Sequence, residues 1–574
     1  MCPNDLCVKL ITKALAMNLG RAVGSNEELR LATEPSRELQ PRKIVTLAFL
    51  DERIPASWLS KEIAHDICAE TDASVVLVRL EPVNGPNLSE KPELFLNGEF
   101  HLPPELAKAD AGFHSLLLGV GINPPTPPGV ASLVDQLSRH FRYIIIQAQI
   151  QDPSAPWVSE LFDRSNLAYV FLKRGSENVR QLERLTREVQ TRRNTPMAQV
   201  KPIVCLAEGE LIESFDALVH RAGGSVHFSV HGCPLAAMAE TDHLAGGTHF
   251  RADLRRLARD ICGRLVGLAL SSGAAKGFAH VGVLQVLEEN GLEVDVVAGA
   301  SMGAYVGALW SYGYNGTELE RLSRELERRW ALWTLIDPAF PPRRGFLRGY
   351  AVKRRLMRSI GYARFGDLVR PLRVVGANLS TLERVVFSSG EVATAVHASS
   401  AVPGICVPVT SEGETYSDGG IVDPLPVDVL REMGVNRVIA VNVIPTPDRI
   451  RCAILAELER KSCSETSARK LLRKLLPFNR QMNYFARGNL LEILMRSLHG
   501  AQIRMAEASC EMADVVLRPE IYDDSWLDYR HPGKFIALGR QEAERHLDEL
   551  KALMKRTETL HEPKPAQDAM ATVA

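Results

Sequence analysis

The sequence predicts an α/β fold with two parallel-sheet domains in succession. Two patterns carry that expectation. Short runs rich in Val, Ile and Leu, such as YIIIQAQ at 143–149 and LVGLAL at 265–270, are apolar almost throughout, as strands covered on both faces must be. Segments with apolar residues three and four apart separate these runs, and strands alternating with helices build parallel sheets. The length of 574 residues exceeds one ordinary domain.

The elements follow in order. Residues 1–40 are polar, weakly patterned and end in TEPSRELQPRK, which predicts a flexible lead. Strands are expected at 44–50, 74–80, 115–120, 143–149 and 168–173. Helices are expected near 57–69, 129–140, 154–164 and 176–192, and a Pro/Gly/Asn-rich loop at 82–98. The stretch 41–250 thus reads as a Rossmann-like α/β domain. The turn after its first strand is LDERIPASWL, with neither the glycines nor the lysine that cradle a phosphate, so a scaffold without an intact nucleotide site is expected. RADLRRLARDICGR at 251–264 reads as an amphipathic helix that opens a second α/β domain over 251–520. Residues 521–574 read as a helical C-terminal extension followed by a disordered tail.

Bulk composition excludes several classes. The 68 basic and 69 acidic side chains leave a formal charge of −1, so no global field draws the chain to nucleic acid. Ten cysteines are scattered without zinc spacing in a long chain, which argues for reduced thiols and against a disulfide framework. Asp5 and Lys9 interrupt the N-terminal apolar residues, and no signal peptide is expected. No uninterrupted apolar run reaches spanning length. The expected location is cytoplasmic, with peripheral contact at the inner membrane face for a protein that handles lipid. No metal and no cofactor is expected, and the oligomeric state stays open.

Three motifs carry chemistry. VVAGASMGAYVGAL contains Gly299-Ala300-Ser301-Met302-Gly303, a G-x-S-x-G between a β-branched strand and a small-residue helix. That is the setting of a nucleophile elbow, in which a tight turn exposes Ser301 at a helix N-terminus. Upstream, Ser271-Ser272-Gly273-Ala274-Ala275-Lys276-Gly277 joins a strand to a helix. Successive N–H groups in such a turn can hold an oxyanion, although alone it reads equally as a phosphate loop or a plain turn. Downstream, Asp418-Gly419-Gly420 ends a strand, where a carboxylate can be approached closely because no side chain follows it. Asp-Gly-Gly by itself is also an ordinary turn.

Taken together, a Gly-containing turn with Lys, then G-x-S-x-G, then D-G-G resembles the patatin-like phospholipases, in particular the bacterial relatives of neuropathy target esterase. AKGFAHVGVLQVLEENGLEVDVVAGASMGAYVGALW, ASSAVPGICVPV and YSDGGIVDPLPVDVLREMGVNRVIAVNV extend the resemblance over about 255–520. It implies a patatin-type three-layer α/β/α catalytic domain after the Rossmann-like one. It also implies a Ser301–Asp418 dyad without histidine, an acyl-enzyme, oxyanion donors around Gly273 and Ala274, and Lys276 as a brace for that turn. The substrates implied are fatty acyl esters of phospholipids or lysophospholipids. The alternatives are a soluble carboxylesterase or thioesterase, and a weakly active regulatory protein on the same fold. One departure stands out: Ser272 and Ala274 occupy glycine positions of the family's turn, and alanine tolerates positive φ poorly.

The remaining signals have ordinary readings. His280 and His397 read as packing residues, and His499 lies in a helix-like run away from any turn motif. Ser467 and Lys470 match S-x-x-K without its partner motifs. Residues 467–480 form a short basic amphipathic stretch, SARKLLRKLLPFNR, that suits an anionic membrane interface. A second basic cluster, 341–358, suits head groups or a solvated face.

Overall fold

Among the described residues, seven parallel strands form the first sheet, in the order β3-β2-β4-β1-β5-β6-β7. The computed structural model describes residues 42–82, 112–120, 125–191, 200–212, 215, 218–219, 226–234, 248–328, 334–341, 343–411, 413–446, 490–521 and 528–555. In chain order the first sheet contains β1 Lys43–Phe49, α1 Ala56–Thr71, β2 Val75–Pro82, β3 Phe113–Val120, α2 Pro127–Leu137, β4 Tyr143–Gln149, α3 Pro156–Arg164, β5 Leu167–Lys173, α4 Ser176–Thr191, β6 Val200–Cys205 and β7 Phe228–Val230. Every residue of β4 up to Ala148 is buried, because helices cover both faces. The turn after β1 holds the Asp51 carboxylate, which accepts from Arg53 Nη2 at 2.6 Å and Asn178 Nδ2 at 3.0 Å. A carboxylate already occupies the end of β1 where a dinucleotide fold would receive a phosphate.

Helix α5, Thr248–Cys262, joins the two sheets. Its Leu254, Leu257, Ala258 and Ile261 are buried, at the three- and four-residue spacing of one helical face. They share a core with Ile63 and Tyr143 from the first sheet region and with Ala269 and Val296 from the second. Its inward-facing charged residues Asp253, Asp260 and Arg259 are paired. Asp260 accepts from Lys201 Nζ (2.8 Å) and Tyr169 OH (2.8 Å) and pairs with His227 Nε2 (2.6 Å), while Arg259 Nη2 bonds Asp295 Oδ1 (2.6 Å). Such buried pairs orient one element on another more than they stabilise it.

The second sheet runs β12-β13-β10-β9-β8-β14-β15, with β11 paired to β10. Its elements are β8 Val266–Leu270, α6 Ala279–Glu289, β9 Val296–Ala300, α7 Met302–Tyr312, α8 Gly316–Arg324, α9 Tyr350–Ile360, β10 Leu372–Asn378, β11 Arg384–Phe387, α10 Val392–Ser399, β12 Val409–Ser411, β13 Glu414–Asp418, α11 Val427–Glu432, β14 Arg437–Val441, α12 Leu490–Glu511, β15 Val515–Leu517, α13 Pro532–Arg545 and α14 Leu547–Lys555. The five strands β10-β9-β8-β14-β15 are parallel, and β13 and β11 run antiparallel to β10. This is the three-layer α/β arrangement expected from the sequence.

One difference from the sequence reading has a clear physical cause. The segment set apart as an extension supplies core: Phe535, Ile536, Leu550 and Leu553 are buried with Leu270 and Val297. Side chains at Gly282 and Gly539 would collide with the backbone of the facing helix, so α6 and α13 pack backbone against backbone. The N-terminal lead 1–40, the basic stretch 467–480, the S-x-x-K of Ser467 and the tail beyond 555 lie outside the described residues.

Candidate active site

Strand register brings the predicted site residues together. Ala300 pairs with Val375 on β10, and the next residue, Gly376, pairs with Asp418 on β13. Asp418 therefore stands level with Ser301 across one strand. Ser301 Oγ donates to Asp418 Oδ2 at 2.7 Å.

Each side chain is held by its own backbone surroundings. Ser301 links β9 to α7 at φ 52 and ψ −117, a conformation that costs a non-glycine residue about 1–3 kcal/mol. Its N–H donates to Ser399 Oγ at 2.8 Å, which helps hold the turn. The flanking small residues are needed for space. A Cβ at Gly299 would lie 2.7 Å from Ala304 N, and one at Gly303 would collide with Leu270 O. Ala300 is fully buried. Asp418 N donates to Ala401 O (3.0 Å), and Asp418 Oδ1 accepts from Gly420 N (2.7 Å). One carboxylate oxygen is thus anchored to backbone while the other faces Ser301. Side chains are excluded at Gly419, against Val375 O, and at Gly420, against Ser272 Oγ, Asp418 Oδ1 and Gln502 Nε2.

The turn after β8 leans on the elbow. Gly277 has no room for a Cβ because Met302 of the elbow fills the space. Ser272 N–H is spent on Pro424 O at 2.8 Å, whereas Gly273 and Ala274 N–H donate to no acceptor among the described residues. Ala275 is buried, and Lys276 lines a chamber with Ser301 and Asp418. Ala274 adopts φ 49. The conformation that the family's glycine would take freely is therefore imposed on an alanine, at about 1–2 kcal/mol.

Burial sets the electrostatics. It lifts the Asp418 carboxyl from an ordinary 3.8 to about 6, although the bonds from Ser301 and Gly420 pull the other way. His280 Nε2 bonds Ser271 O at 2.9 Å, so it donates to that carbonyl and braces the turn. Burial pulls this imidazole down to about 4, which keeps it neutral. His397 Nε2 sits 3.3 Å from Arg348 O, away from the dyad. His499 is the surprise. Helix α12, distant in sequence, brings Leu498, His499 and Gln502 into the wall of the chamber that holds Ser301 and Asp418. Nothing local in the sequence marks those residues. Ser399 was legible only as part of the small-residue run ASSAVPG.

Ser301 opens on two spaces. One is a cavity of about 380 Å³ lined by apolar side chains, among them Val281, Tyr305, Leu309, Leu322, Leu347 and Ile405. The other is smaller, about 160 Å³, and includes Asp418, Lys276, His499 and Gln502.

Residues 268–431 match the family model described as patatin-like phospholipase. This segment of the chain is similar to the patatin-like phospholipases. The match spans the turn, the elbow and the Asp-Gly-Gly, so this patatin-like domain holds all three motifs. Among curated relatives, lysophospholipase NTE1 of Pyricularia oryzae is 32% identical over 195 residues, 34% of this chain and 13% of that protein. Lysophospholipase NTE1 of Kluyveromyces lactis is 29% identical over 285 residues, 49% of this chain and 19% of that protein. The chain thus matches less than a fifth of the length of these relatives. Both are fungal, where the sequence pointed to the bacterial side of the same branch. The solved structure of VipD from Legionella pneumophila aligns at 14% identity and a TM-score of 0.29, over 50% of this chain and 66% of that one. No helix among the described residues is long and apolar enough to cross a membrane.

Proposed function

We propose that this chain is a serine acyl-ester hydrolase that cleaves fatty acyl esters of phospholipids, lysophospholipids foremost, through Ser301 and Asp418. The reading rests above all on the 2.7 Å bond from Ser301 Oγ to Asp418 Oδ2 at the mouth of an apolar cavity. Asp418 takes the hydroxyl proton as Oγ attacks the ester carbonyl carbon. The N–H groups of Gly273 and Ala274 receive the oxyanion. The tetrahedral intermediate collapses, the C–O bond to the alcohol breaks, and Asp418 returns the proton to the departing alcohol. Water then attacks the acyl carbon as Asp418 takes its proton, the bond from Ser301 Oγ to that carbon breaks, Asp418 returns the proton to Oγ, and the fatty acid leaves. Oδ1 stays on Gly420 N–H throughout, so only Oδ2 handles protons.

The two spaces divide the substrate. The apolar cavity suits one acyl chain, and the chamber with Lys276 and Gln502 suits the polar alcohol side. Among the described residues one apolar cavity reaches Ser301, and this, together with the lysophospholipase name of the relatives, favours single-chain lipids. The reading has the protein work from the cytoplasm on lipid met at a membrane surface, with the Rossmann-like domain as scaffold. A fluorophosphonate probe tests the nucleophile: it should label the full chain, and Ser301→Ala should abolish labelling. A folded wild-type chain that resists the probe removes the hydrolase reading. A lipid panel tests the substrate: lysophosphatidylcholine should be cleaved faster than phosphatidylcholine, and cleavage of short soluble esters alone removes the lipid claim.

A further inference from the structure

Between α8 and α9 the chain forms a hairpin whose tip faces solvent. Pro338 bridges Leu347, Ala339 N donates to Phe346 O at 2.9 Å, and Arg348 N donates to Asp337 O at 2.8 Å. Phe340, near the tip, is 89% exposed, an unusual state for so large an apolar side chain. Elsewhere in the hairpin and along α9 to the residues just past its end, Tyr350 and Tyr362 are 56% and 79% exposed, and Ile336 and Phe346 are partly exposed.

The charge on this face is one-sided. Arg343, Arg344, Arg348, Arg354 and Arg358 are exposed and form no ion pair among the described residues. Neighbouring cations that point inward are paired: Lys353 with Glu391 at 2.9 Å and Arg355 with Glu325 at 3.2 Å. The nearby carboxylate, Asp337, is occupied by the N–H groups of Gly349 and Ala351 at the start of α9. In a chain of net charge −1, five unneutralised arginines beside exposed aromatics are a local construction.

We propose that the hairpin 337–348 and the exposed side of α9 dock on an anionic phospholipid surface. Exposed aromatics suit the boundary between head groups and acyl chains, and arginines suit the phosphates above it. Position in the fold selects lipid over an acidic protein. Ile336 lines both a groove shared by Arg354, Arg358 and Tyr362 and the apolar cavity that reaches Ser301. Leu347 and Val352, from the hairpin and α9, wall the same cavity. A bilayer under this face lies against the wall of the space where an acyl chain must go. The choice of lipid rests on reading that cavity as an acyl site, and the docking itself needs no chemistry at Ser301.

Flotation of the full chain in the Ser301→Ala background tests this without turnover. Vesicles of phosphatidylcholine with phosphatidylglycerol should carry the protein at low salt, and those of phosphatidylcholine alone far less. Each arginine removed should weaken partition about 5-fold, so Arg343→Gln with Arg344→Gln should lose about 25-fold. Phe340→Ser should lose about 10-fold, with the thermal midpoint of every variant unchanged. Absence of flotation, indifference to anionic lipid, or variants that float like the parent would each overturn the proposal. Failure of labelling at Ser301 leaves it standing, so the two readings fail separately.

Discussion

Replacing Asp418 by asparagine separates the burial of this carboxylate from its chemistry. Asp418 is 3% exposed, and burial is the main cause that raises its pKa from 3.8 to about 6. In the folded chain the charged form is therefore disfavoured. Below about pH 4 the carboxyl is protonated in both folded and unfolded chains and has no effect. As pH rises towards 6 the unfolded chain loses the proton first, and folding stability falls. Above about pH 6 the loss levels off at about 3 kcal/mol, from 1.36 kcal/mol per tenfold difference in acidity. Asparagine carries no charge at any pH and avoids this loss. Roughly half of it accrues between about pH 5 and pH 8, so the midpoint of Asp418→Asn relative to wild type should rise by on the order of 1–2 °C across that window, given the large unfolding entropy of a chain this long. Differential scanning fluorimetry at both ends measures it. Over the same range wild-type kcat/KM on a soluble ester should climb through about pH 6 and then plateau, because in the proposed mechanism only the carboxylate acts as base, and Asp418→Asn should lose roughly 10²–10⁴-fold. A midpoint difference that ignores pH, or full wild-type activity at about pH 4.5, would refute the account.

Two further outcomes follow from the site. Ala274→Gly relieves the positive φ at the turn but frees the unfolded chain, so stability should move by less than about 1 kcal/mol and ester hydrolysis should hold or improve; a tenfold loss of kcat would show that the methyl shapes the hole. His499→Ala should keep kcat within about tenfold, because Ser301 already bonds Asp418 directly; a loss of 10³-fold or more would make the histidine the working base.

The elements and the three motifs were legible in the sequence because their causes are local. A strand buried on both faces must be apolar along its length, and YIIIQAQ occupies Tyr143–Gln149 as read. A turn as tight as that at Ser301 admits only small neighbours, so Gly299 and Gly303 marked it. Even the strain at Ala274 followed from one missing glycine. Tertiary structure alone decided what depends on residues far apart in the chain. The register of β9, β10 and β13 sets Asp418 level with Ser301, 117 positions apart. Ser399 and the α12 residues His499 and Gln502 reach the site only once the sheet has formed. The division of the site into an apolar cavity and a polar chamber has the same origin, since each wall draws on several elements and no window of sequence contains the space between them.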